Sequence, residues 1–228
     1  MHVHVAFTPV EEGSALVGIV VDVIRASSSI AAALAAGYER VLCCREIEEA
    51  KALRAELGEE AVVGGEREGV VVPGFDVGAS PREFAAGARA PTLILSTTNG
   101  TAAILTAAAR CDTVYVGALL TLRAVADATR AAGDEVAIFC AGFKDTFAID
   151  DAYCAGRFVQ ELGGERSDAA IAAELVAGSF PTPLDGLNAR TYGPPGLEAD
   201  IEYCAQENLL AIVPRFSRML GTAAEIVA

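Results

Sequence analysis

Residues 16–23, which read Leu-Val-Gly-Ile-Val-Val-Asp-Val, decide the fold class of this chain. They form an apolar run that ends in Asp22, with Gly13 before it and a serine-rich turn after it. Such runs are typical of central parallel strands, which are buried on both faces. Residues 27–36 then have helical composition, and Gly37 stands where a helix commonly ends. This part of the chain therefore predicts a strand followed by a helix.

The same alternation of strand and helix continues along the chain. Further strands are predicted at residues 40–44, 61–63, 92–95, 113–116 and 135–140, and further helices at residues 47–57, 81–86, 101–109, 119–132 and 151–162. This order favours a mostly parallel sheet with helices on both faces. We expect strands at 3–7 and 211–213 to lie at an edge or run antiparallel. Residues 165–207 are predicted to form helices separated by proline-containing loops. We predict one domain over residues 1–228.

Composition and charge exclude several classes of protein. A chain of 228 residues with 53% hydrophobic content can bury a sizeable core. The net charge of −14 argues against nucleic-acid binding and against anionic membranes. No apolar stretch reaches the ~20 residues of a membrane span, and the start lacks the pattern of a signal peptide. We therefore predict a cytoplasmic protein.

The cysteines and histidines do not have the spacing of a zinc site. The six cysteines include no C-x-x-C pair, and the only histidines are His2 and His4, which alternate with valines. The cysteines are therefore expected to be buried free thiols.

Residues 96–101, Ser-Thr-Thr-Asn-Gly-Thr, lie between an apolar run and an alanine-rich helical run. A strand that ends in hydroxyls and then enters a helix directs backbone N–H groups and the positive end of the helix dipole at one point. This arrangement predicts an anion-binding turn. The alternative is an ordinary helix N-cap at Thr101.

Asp22 and the residues after it form a second polar segment. Asp22 ends the buried strand, Arg25 follows in the turn, and three serines open the helix. Ser27 could be a simple N-cap, but a carboxylate at the end of an apolar strand is costly unless it has partners.

The glycine-rich stretch 64–81 is a third candidate. It carries Glu66, Arg67 and Asp76, of which the arginine can bind an oxyanion and the acids can hold a hard cation. The alternative is a long surface loop, although ordered loops of this length are usually functional.

A fourth segment, residues 140–151, leaves a predicted strand and enters a helix through Asp150 and Asp151. Acids in the first turn of a helix often serve only the helix dipole. Ligands of open α/β sheets, however, collect beyond the carboxyl ends of the strands. All four segments are predicted to meet at that edge, where oxygen ligands without His or Cys suit Mg²⁺.

Five ordered motifs of this chain resemble the 2-phosphosulfolactate phosphatase family. They are residues 21–26 (Val-Asp-Val-Ile-Arg-Ala), 65–67 (Gly-Glu-Arg), 74–81 (Gly-Phe-Asp-Val-Gly-Ala-Ser-Pro), 97–101 (Thr-Thr-Asn-Gly-Thr) and 140–142 (Cys-Ala-Gly) with Asp151 following. The resemblance implies a three-layer α/β/α fold with a mostly parallel, mixed central sheet. It also implies a Mg²⁺-dependent phosphatase that converts 2-phospho-3-sulfolactate to sulfolactate and phosphate in coenzyme M biosynthesis.

The chain departs from the family pattern at three places. It has Ser27, Ser28 and Ser29 where the family usually has threonines, which keeps the hydroxyls. It has Ala79 where the family has Asn, and Asp150 where the family has Glu. The change at Ala79 bears on which substrate is bound, so the natural substrate stays open.

We combine these observations in one predicted site for a small anionic phosphate ester. The predicted catalytic residues are Asp22, Arg25, Arg67 and Asn99; the predicted substrate-binding residues are Ser27, Ser28, Ser80, Thr98, Gly100 and Thr101; the predicted metal ligands are Asp22, Glu66, Asp76 and Asp151. The expected cofactor is Mg²⁺, which would activate a water for attack on phosphorus. The sequence leaves the oligomeric state open, with a homo-oligomer among the alternatives.

Two alternatives to this mechanism and function stay open, and one is excluded. An aspartyl-phosphate route through Asp22 is one alternative, although Ile24 stands where the haloacid-dehalogenase signature needs a second Asp. A protein that binds a phosphorylated or sulfonated metabolite without turnover is the other. A Rossmann-type dehydrogenase is excluded, because no Gly-x-Gly-x-x-Gly follows the early strand.

Overall fold

The computed structural model describes residues 1–11, 13–67, 70–97 and 99–228. The strands are β1 (His2–Ala6), β2 (Ala15–Val21), β3 (Arg40–Cys44), β4 (Ala61–Arg67), β5 (Val70–Val71), β6 (Thr92–Ser96), β7 (Cys111–Gly117), β8 (Glu135–Cys140), β9 (Glu165–Arg166), β10 (Arg215–Leu220) and β11 (Ala223–Val227). The helices are α1 (Ala26–Ala35), α2 (Ile47–Leu57), α3 (Pro81–Ala85), α4 (Asn99–Ala108), α5 (Leu122–Ala132), α6 (Ile149–Leu162), α7 (Asp168–Gly178), α8 (Pro183–Asn188) and α9 (Glu198–Cys204).

One eleven-stranded sheet connects the whole described chain. Its strand order is β5-β4-β6-β3-β11-β10-β7-β2-β8-β1-β9. The pairs β4–β6, β6–β3, β7–β2, β2–β8, β8–β1 and β1–β9 are parallel. The C-terminal hairpin β10–β11 is antiparallel and lies between β3 and β7, joined to β7 at the Arg215–Tyr115 pair. The sheet is therefore mostly parallel and mixed, which confirms the predicted fold class.

Helices cover both faces of the sheet. On one face α1 contacts β3 and β7, and α4 contacts β2, β7, β8 and β11, so these two helices reach strands on both sides of the hairpin. On the other face α5 and α6 pack against β2, β7 and β8, whereas α2 packs against β3, β4 and β6. The starts of α1 and α4 are thereby brought to the same strand, β2, which positions the site described below.

The burial of the central strand β2 explains why its sequence is an apolar run. Ile19 and Val21 are fully buried in the core that includes α6, and Val20 is buried in the core that includes α1 and α4. Burial on both faces needs apolar residues at consecutive positions rather than alternation. All six cysteines are free, and five of them are buried, as expected.

Most predicted elements are confirmed with shifts of a few residues at their ends, but two predictions are wrong. The expected strand at 211–213 is irregular, and the C-terminal strands are instead Arg215–Leu220 and Ala223–Val227. Strand β1 is parallel to its neighbours and is not at the edge of the sheet, because the two-residue strand β9 pairs with its outer side. The alternative of an N-cap at Thr101 also fails, because α4 begins at Asn99 and Thr101 lies within it. None of the helices formed by the described residues is long and apolar enough to cross a membrane.

The contact between α6 and α7 depends on Gly156. A Cβ at this position would lie 2.0 Å from the carbonyl oxygen of Ala173. We expect Gly156→Ala to lower the free energy of unfolding by about 2–3 kcal/mol, since the two helices must separate to admit one methyl group. Denaturant unfolding followed by circular dichroism measures this change.

Gly178 provides the matched control, because it is also helical and a Cβ there would meet nothing within 4 Å. Gly178→Ala should leave stability unchanged or raise it by up to about 1 kcal/mol, the difference in helix propensity between the two residues. Equal effects of the two substitutions would contradict the close α6–α7 packing.

Candidate functional site

Asp22 lies at the end of β2, between the first turns of two helices. Its Oδ1 accepts a hydrogen bond from the backbone N–H of Ala26 at 3.2 Å, at the start of α1. Its Oδ2 would lie 2.9 Å from a Cβ built at Gly100, in the first turn of α4. The positive ends of both helix dipoles therefore act on one half-buried carboxylate.

The serines after Asp22 bond to the backbone. Ser27 Oγ donates to the carbonyl of Asp22 at 2.7 Å and accepts from its N–H at 3.2 Å. Ser28 Oγ donates to the carbonyl of Val23 at 2.8 Å, and Ser29 Oγ donates to the carbonyl of Ala79 at 2.8 Å. These buried hydroxyls fix the turn between β2 and α1. The geometry gives no support to direct substrate binding by Ser27 or Ser28.

Arg25 is held by an acid far away in the sequence. Its Nη1 donates to Asp200 Oδ2 at 2.7 Å, and both side chains are largely buried. Ser80 Oγ donates to the other oxygen of Asp200 at 2.6 Å. Asp200 therefore links two predicted site residues, Arg25 and Ser80. It neutralises the charge of Arg25 and fixes the position of the guanidinium.

Asp150 and Asp151 bring a second pair of carboxylates to the same edge. Asp151 Oδ1 accepts from the N–H of Val23 at 2.9 Å, and its Oδ2 accepts from the N–H of Gly142 at 3.0 Å. Asp151 thus joins the segments that follow β2 and β8. Burial raises the pKa of Asp151 well above its ordinary value, and the charges of Asp150 and Asp22 raise it further.

The pKa of Asp22 shows that these carboxylates act on one another. Burial raises its pKa from 3.8 to about 6, opposed by the N–H of Ala26. The negative charges of Asp150 and Glu66 raise it further, while the charge of Arg25 lowers it. Asp22 is therefore within electrostatic reach of both Glu66 and Asp150.

Arg67 ends β4, next to Glu66. Its Nη1 donates to the carbonyls of Glu66 and Ser96 at 2.8 and 3.3 Å, and its Nη2 donates to Ser96 Oγ at 3.0 Å and to the carbonyl of Arg45 at 3.1 Å. All four bonds go to uncharged oxygens. Within the described ranges no carboxylate neutralises Arg67, so its positive charge remains available at the end of β6.

Asp76 lies apart from the other acids. Its Oδ2 accepts from the N–H of Val63 at 2.9 Å and from Arg54 Nε at 3.3 Å, on the side of β4 that α2 covers. Its bonds anchor the loop after β5 to β4 and α2. The predicted metal role of Asp76 has no support in this geometry, and we leave it out of the proposed site.

The predicted anion-binding turn leads into α4. Thr97 Oγ1 accepts from the N–H of Thr101 at 3.1 Å and lies 3.1 Å from Thr101 Oγ1, which in turn bonds to the carbonyl of Cys44. Asn99 is the first residue of the helix and is half-buried. Thr98, a predicted substrate-binding residue, lies outside the described residues. Thr101 is a structural residue in this geometry.

Sequence reasoning did not assign Asp200 and Tyr192 to the site. Tyr192 donates a short hydrogen bond from its hydroxyl to Asp150 Oδ1, and its ring stacks on Phe143 with the centroids 4.5 Å apart. The segment of helices and proline-containing loops over residues 165–207 is thus part of the site. No local pattern marks these residues, because their role depends on contacts with segments 42 and 175 residues away.

The acids of the site have the chemistry, but not the ready geometry, of a magnesium centre. No group of three or more His, Cys, Asp or Glu side chains in the described ranges is arranged to hold a metal ion. Mg²⁺ commonly binds through one or two carboxylates, water and substrate phosphate, so a cluster of three is not required. Asp22 and Glu66, whose charges repel each other, provide hard oxygen ligands of the kind that Mg²⁺ prefers.

The fold and the site together define a class of protein. A mostly parallel sheet that collects carboxylates, an uncompensated arginine and a helix start at one edge is typical of α/β enzymes that act on phosphorylated compounds. Comparison with known proteins narrows the class. The model of the family described as 2-phosphosulpholactate phosphatase matches residues 6–218, and the chain belongs to this family.

Curated relatives cover nearly the same length. A protein of Pseudothermotoga lettingae named probable 2-phosphosulfolactate phosphatase is 38% identical over 220 residues, which cover 94% of this chain and 95% of that protein. A protein of Thermus thermophilus with the same name is 38% identical over 215 residues, 90% of each chain. The predicted family is therefore confirmed, and these relatives carry the name of a phosphoric monoester hydrolase.

Proposed function

We propose that this protein hydrolyses a small phosphate monoester, 2-phospho-3-sulfolactate, to 3-sulfolactate and phosphate with the help of Mg²⁺. The observation that carries the proposal is the placement of Asp22 between the starts of α1 and α4, within electrostatic reach of Glu66 and Asp150. The family and the names of the relatives support the reaction and the substrate.

The start of α4 and Arg67 are the proposed phosphate-binding groups. Backbone N–H groups in the first turn of a helix point outward and favour an anion. Arg67 adds a positive charge, and one such pair at 4 Å is worth about 4 kcal/mol at an effective dielectric constant of 20, before desolvation. This local attraction opposes the repulsion of a substrate anion by a protein of net charge −14.

Asp22 and Glu66 are the proposed holders of Mg²⁺. When bound, the ion would polarise the phosphate and lower the pKa of an attacking water. Asp22 must be ionised for this role. Burial raises its pKa to about 6, opposed by the N–H of Ala26 at the start of α1, so Asp22 is ionised at neutral pH. Arg25 is a positioning residue, because Asp200 already neutralises its charge. Asp151 positions the backbone of Val23 and Gly142 around the site.

Phosphate release from a panel of small phosphorylated acids tests the proposal. We expect turnover of 2-phospho-3-sulfolactate, and withdrawal of Mg²⁺ with EDTA should lower the rate at least about tenfold, with recovery when Mg²⁺ is added back. Unchanged turnover in EDTA would remove the metal from the mechanism. Binding of the panel without phosphate release would identify a metabolite-binding protein instead.

We further propose a cytoplasmic location, with no nucleic-acid or membrane partner, on the basis of the acidic charge balance. Assembly into a homo-oligomer stays a prediction, which light scattering of the purified protein tests.

A further inference from the structure

A further cationic group, Arg190, lies near Asp150, in the segment between α8 and α9. Arg190 stands two residues before Tyr192. Burial raises the pKa of Asp150, and the positive charge of Arg190 is among the nearby groups that oppose this rise. Arg190 is half-buried. In the part of the chain that the structure describes, it forms neither an ion pair nor a hydrogen bond. It is therefore a positive charge beside the site that no group among the described residues neutralises directly.

The fold holds this segment against the site. The ring of Tyr192 stacks on Phe143 at an interplanar angle of 20°, and its hydroxyl bonds to the buried Asp150. Gly193 turns the chain with a φ of +93°, and a Cβ there would lie 2.9 Å from Arg190 Nη1. The guanidinium therefore folds back over Gly193. The turn and the Tyr192 anchor limit where Arg190 can reach.

The cations of the site differ in what they can still bind. Arg25 is neutralised by Asp200 at 2.7 Å. Arg67 belongs to β4 and bonds to oxygens of the β6 end, beside the start of α4. Arg190 belongs to a different flank, in the segment that Tyr192 anchors at the first turn of α6. One anionic group can therefore bind at α4 and Arg67 while a second anionic group meets Arg190.

We propose that Arg190 binds the sulfonate group of the substrate, and that Tyr192 positions Arg190 for this contact. The inference rests on the proposed phosphatase function, whose substrate carries a sulfonate in addition to the phosphate and a carboxylate. A sulfonate is ionised at all relevant pH values and only accepts hydrogen bonds. The planar guanidinium, with five N–H donors, is suited to an oxyanion of this kind.

Two substrates that differ only in the sulfonate test this assignment: 2-phospho-3-sulfolactate and 2-phospholactate. We expect Arg190→Ala to lower kcat/KM at least about tenfold for the first and less than about threefold for the second, as expected for loss of a charge-assisted hydrogen bond to one substrate group. Arg190→Lys should recover part of the loss, because lysine keeps the positive charge but lacks the paired N–H donors of the guanidinium. Thermal unfolding checks that each variant is folded.

Arg89→Ala is the matched control. Arg89 is exposed, and its neighbour Ala88 bonds to the end of α1, away from the strand ends that carry the site. The control should change neither substrate's kcat/KM. Equal losses on the two substrates in Arg190→Ala would overturn the assignment to the sulfonate, as would no loss on either.

Binding of the product distinguishes failure of this inference from failure of the proposed function. Calorimetric titration with 3-sulfolactate needs no turnover. Arg190→Ala should weaken this binding about tenfold relative to the unsubstituted protein and leave lactate binding unchanged. If no phosphate is released from either ester but this difference is found, the phosphatase proposal fails and the Arg190 assignment stands. If 3-sulfolactate does not bind, or binds equally to both proteins, the assignment is wrong.

Discussion

Asp22→Asn should reduce phosphate release roughly a thousandfold or more while the protein remains folded. The substitution removes the charge that would hold Mg²⁺ against the phosphate, and such groups contribute several kcal/mol to transition-state stabilisation. It keeps an oxygen that can accept the N–H of Ala26, so the turn after β2 is preserved. Steady-state phosphate release at saturating Mg²⁺ measures the effect.

The same substitution should stabilise the metal-free protein, and the sign follows from the pKa of Asp22. Folding raises this pKa from 3.8 to about 6, so the native state holds the proton more tightly than the unfolded state. Wild-type stability is therefore lost as pH rises between these values, whereas Asn has no charge to bury. Above pH 6 we expect Asp22→Asn to be more stable by about 1–3 kcal/mol, and the difference should shrink towards pH 4.

Asp112→Asn is the matched control for both measurements. Asp112 is exposed near the start of β7, far along the strands from the carboxyl-end site. It should leave phosphate release and the pH dependence of stability unchanged. Near-normal turnover in Asp22→Asn would remove Asp22 from the mechanism, and lower stability at pH 7 would contradict its burial among like charges.

The sequence predicted the parallel framework because local patterns determine it. The apolar run of β2 is buried on both faces, and helices alternate with the parallel strands along the chain. The hairpin β10–β11 could not be predicted in the same way. The residues of β10 do not alternate between buried and exposed, and most of the strand is exposed. The position of the hairpin depends on pairing of β10 with β7, 100 residues earlier, and of β11 with β3, about 180 residues earlier. Buried Glu225, bonded to Arg40 and Arg218, is part of that non-local pairing.

The site was predictable to the extent that strand ends determine it. Asp22 follows β2, Glu66 lies at the end of β4, and Asp150 lies in the first turn of α6 after β8. The charges of Glu66 and Asp150 both act on Asp22. Asp76 also follows a strand, but a turn carries it to the α2 side of β4, where Arg54 binds it. Which side of a loop an acid faces depends on packing rather than on local pattern. The same reason explains why Asp200 and Tyr192 could not be assigned from the sequence.

Gly100→Ala should lower phosphate release roughly a hundredfold, because it disturbs the junction of the two helix starts at Asp22. A Cβ at this position would lie 2.6 Å from the Cβ of Ala26 and 2.9 Å from Asp22 Oδ2. Both separations are shorter than van der Waals contact, so either α4 moves away from α1 or the carboxylate turns away. A displacement of about 1 Å near the chemistry can cost a hundredfold in rate.

The expected loss of stability is smaller than the loss of rate. Alanine favours the helix at this position, which partly offsets a packing cost of about 1–3 kcal/mol. Gly178→Ala, the same substitution where a Cβ meets nothing within 4 Å, should leave phosphate release unchanged. The two variants therefore separate a local effect on Asp22 from a general effect of alanine in a helix. Turnover of Gly100→Ala within threefold of the wild-type rate would show that Asp22 and the start of α4 do not act together on the phosphate.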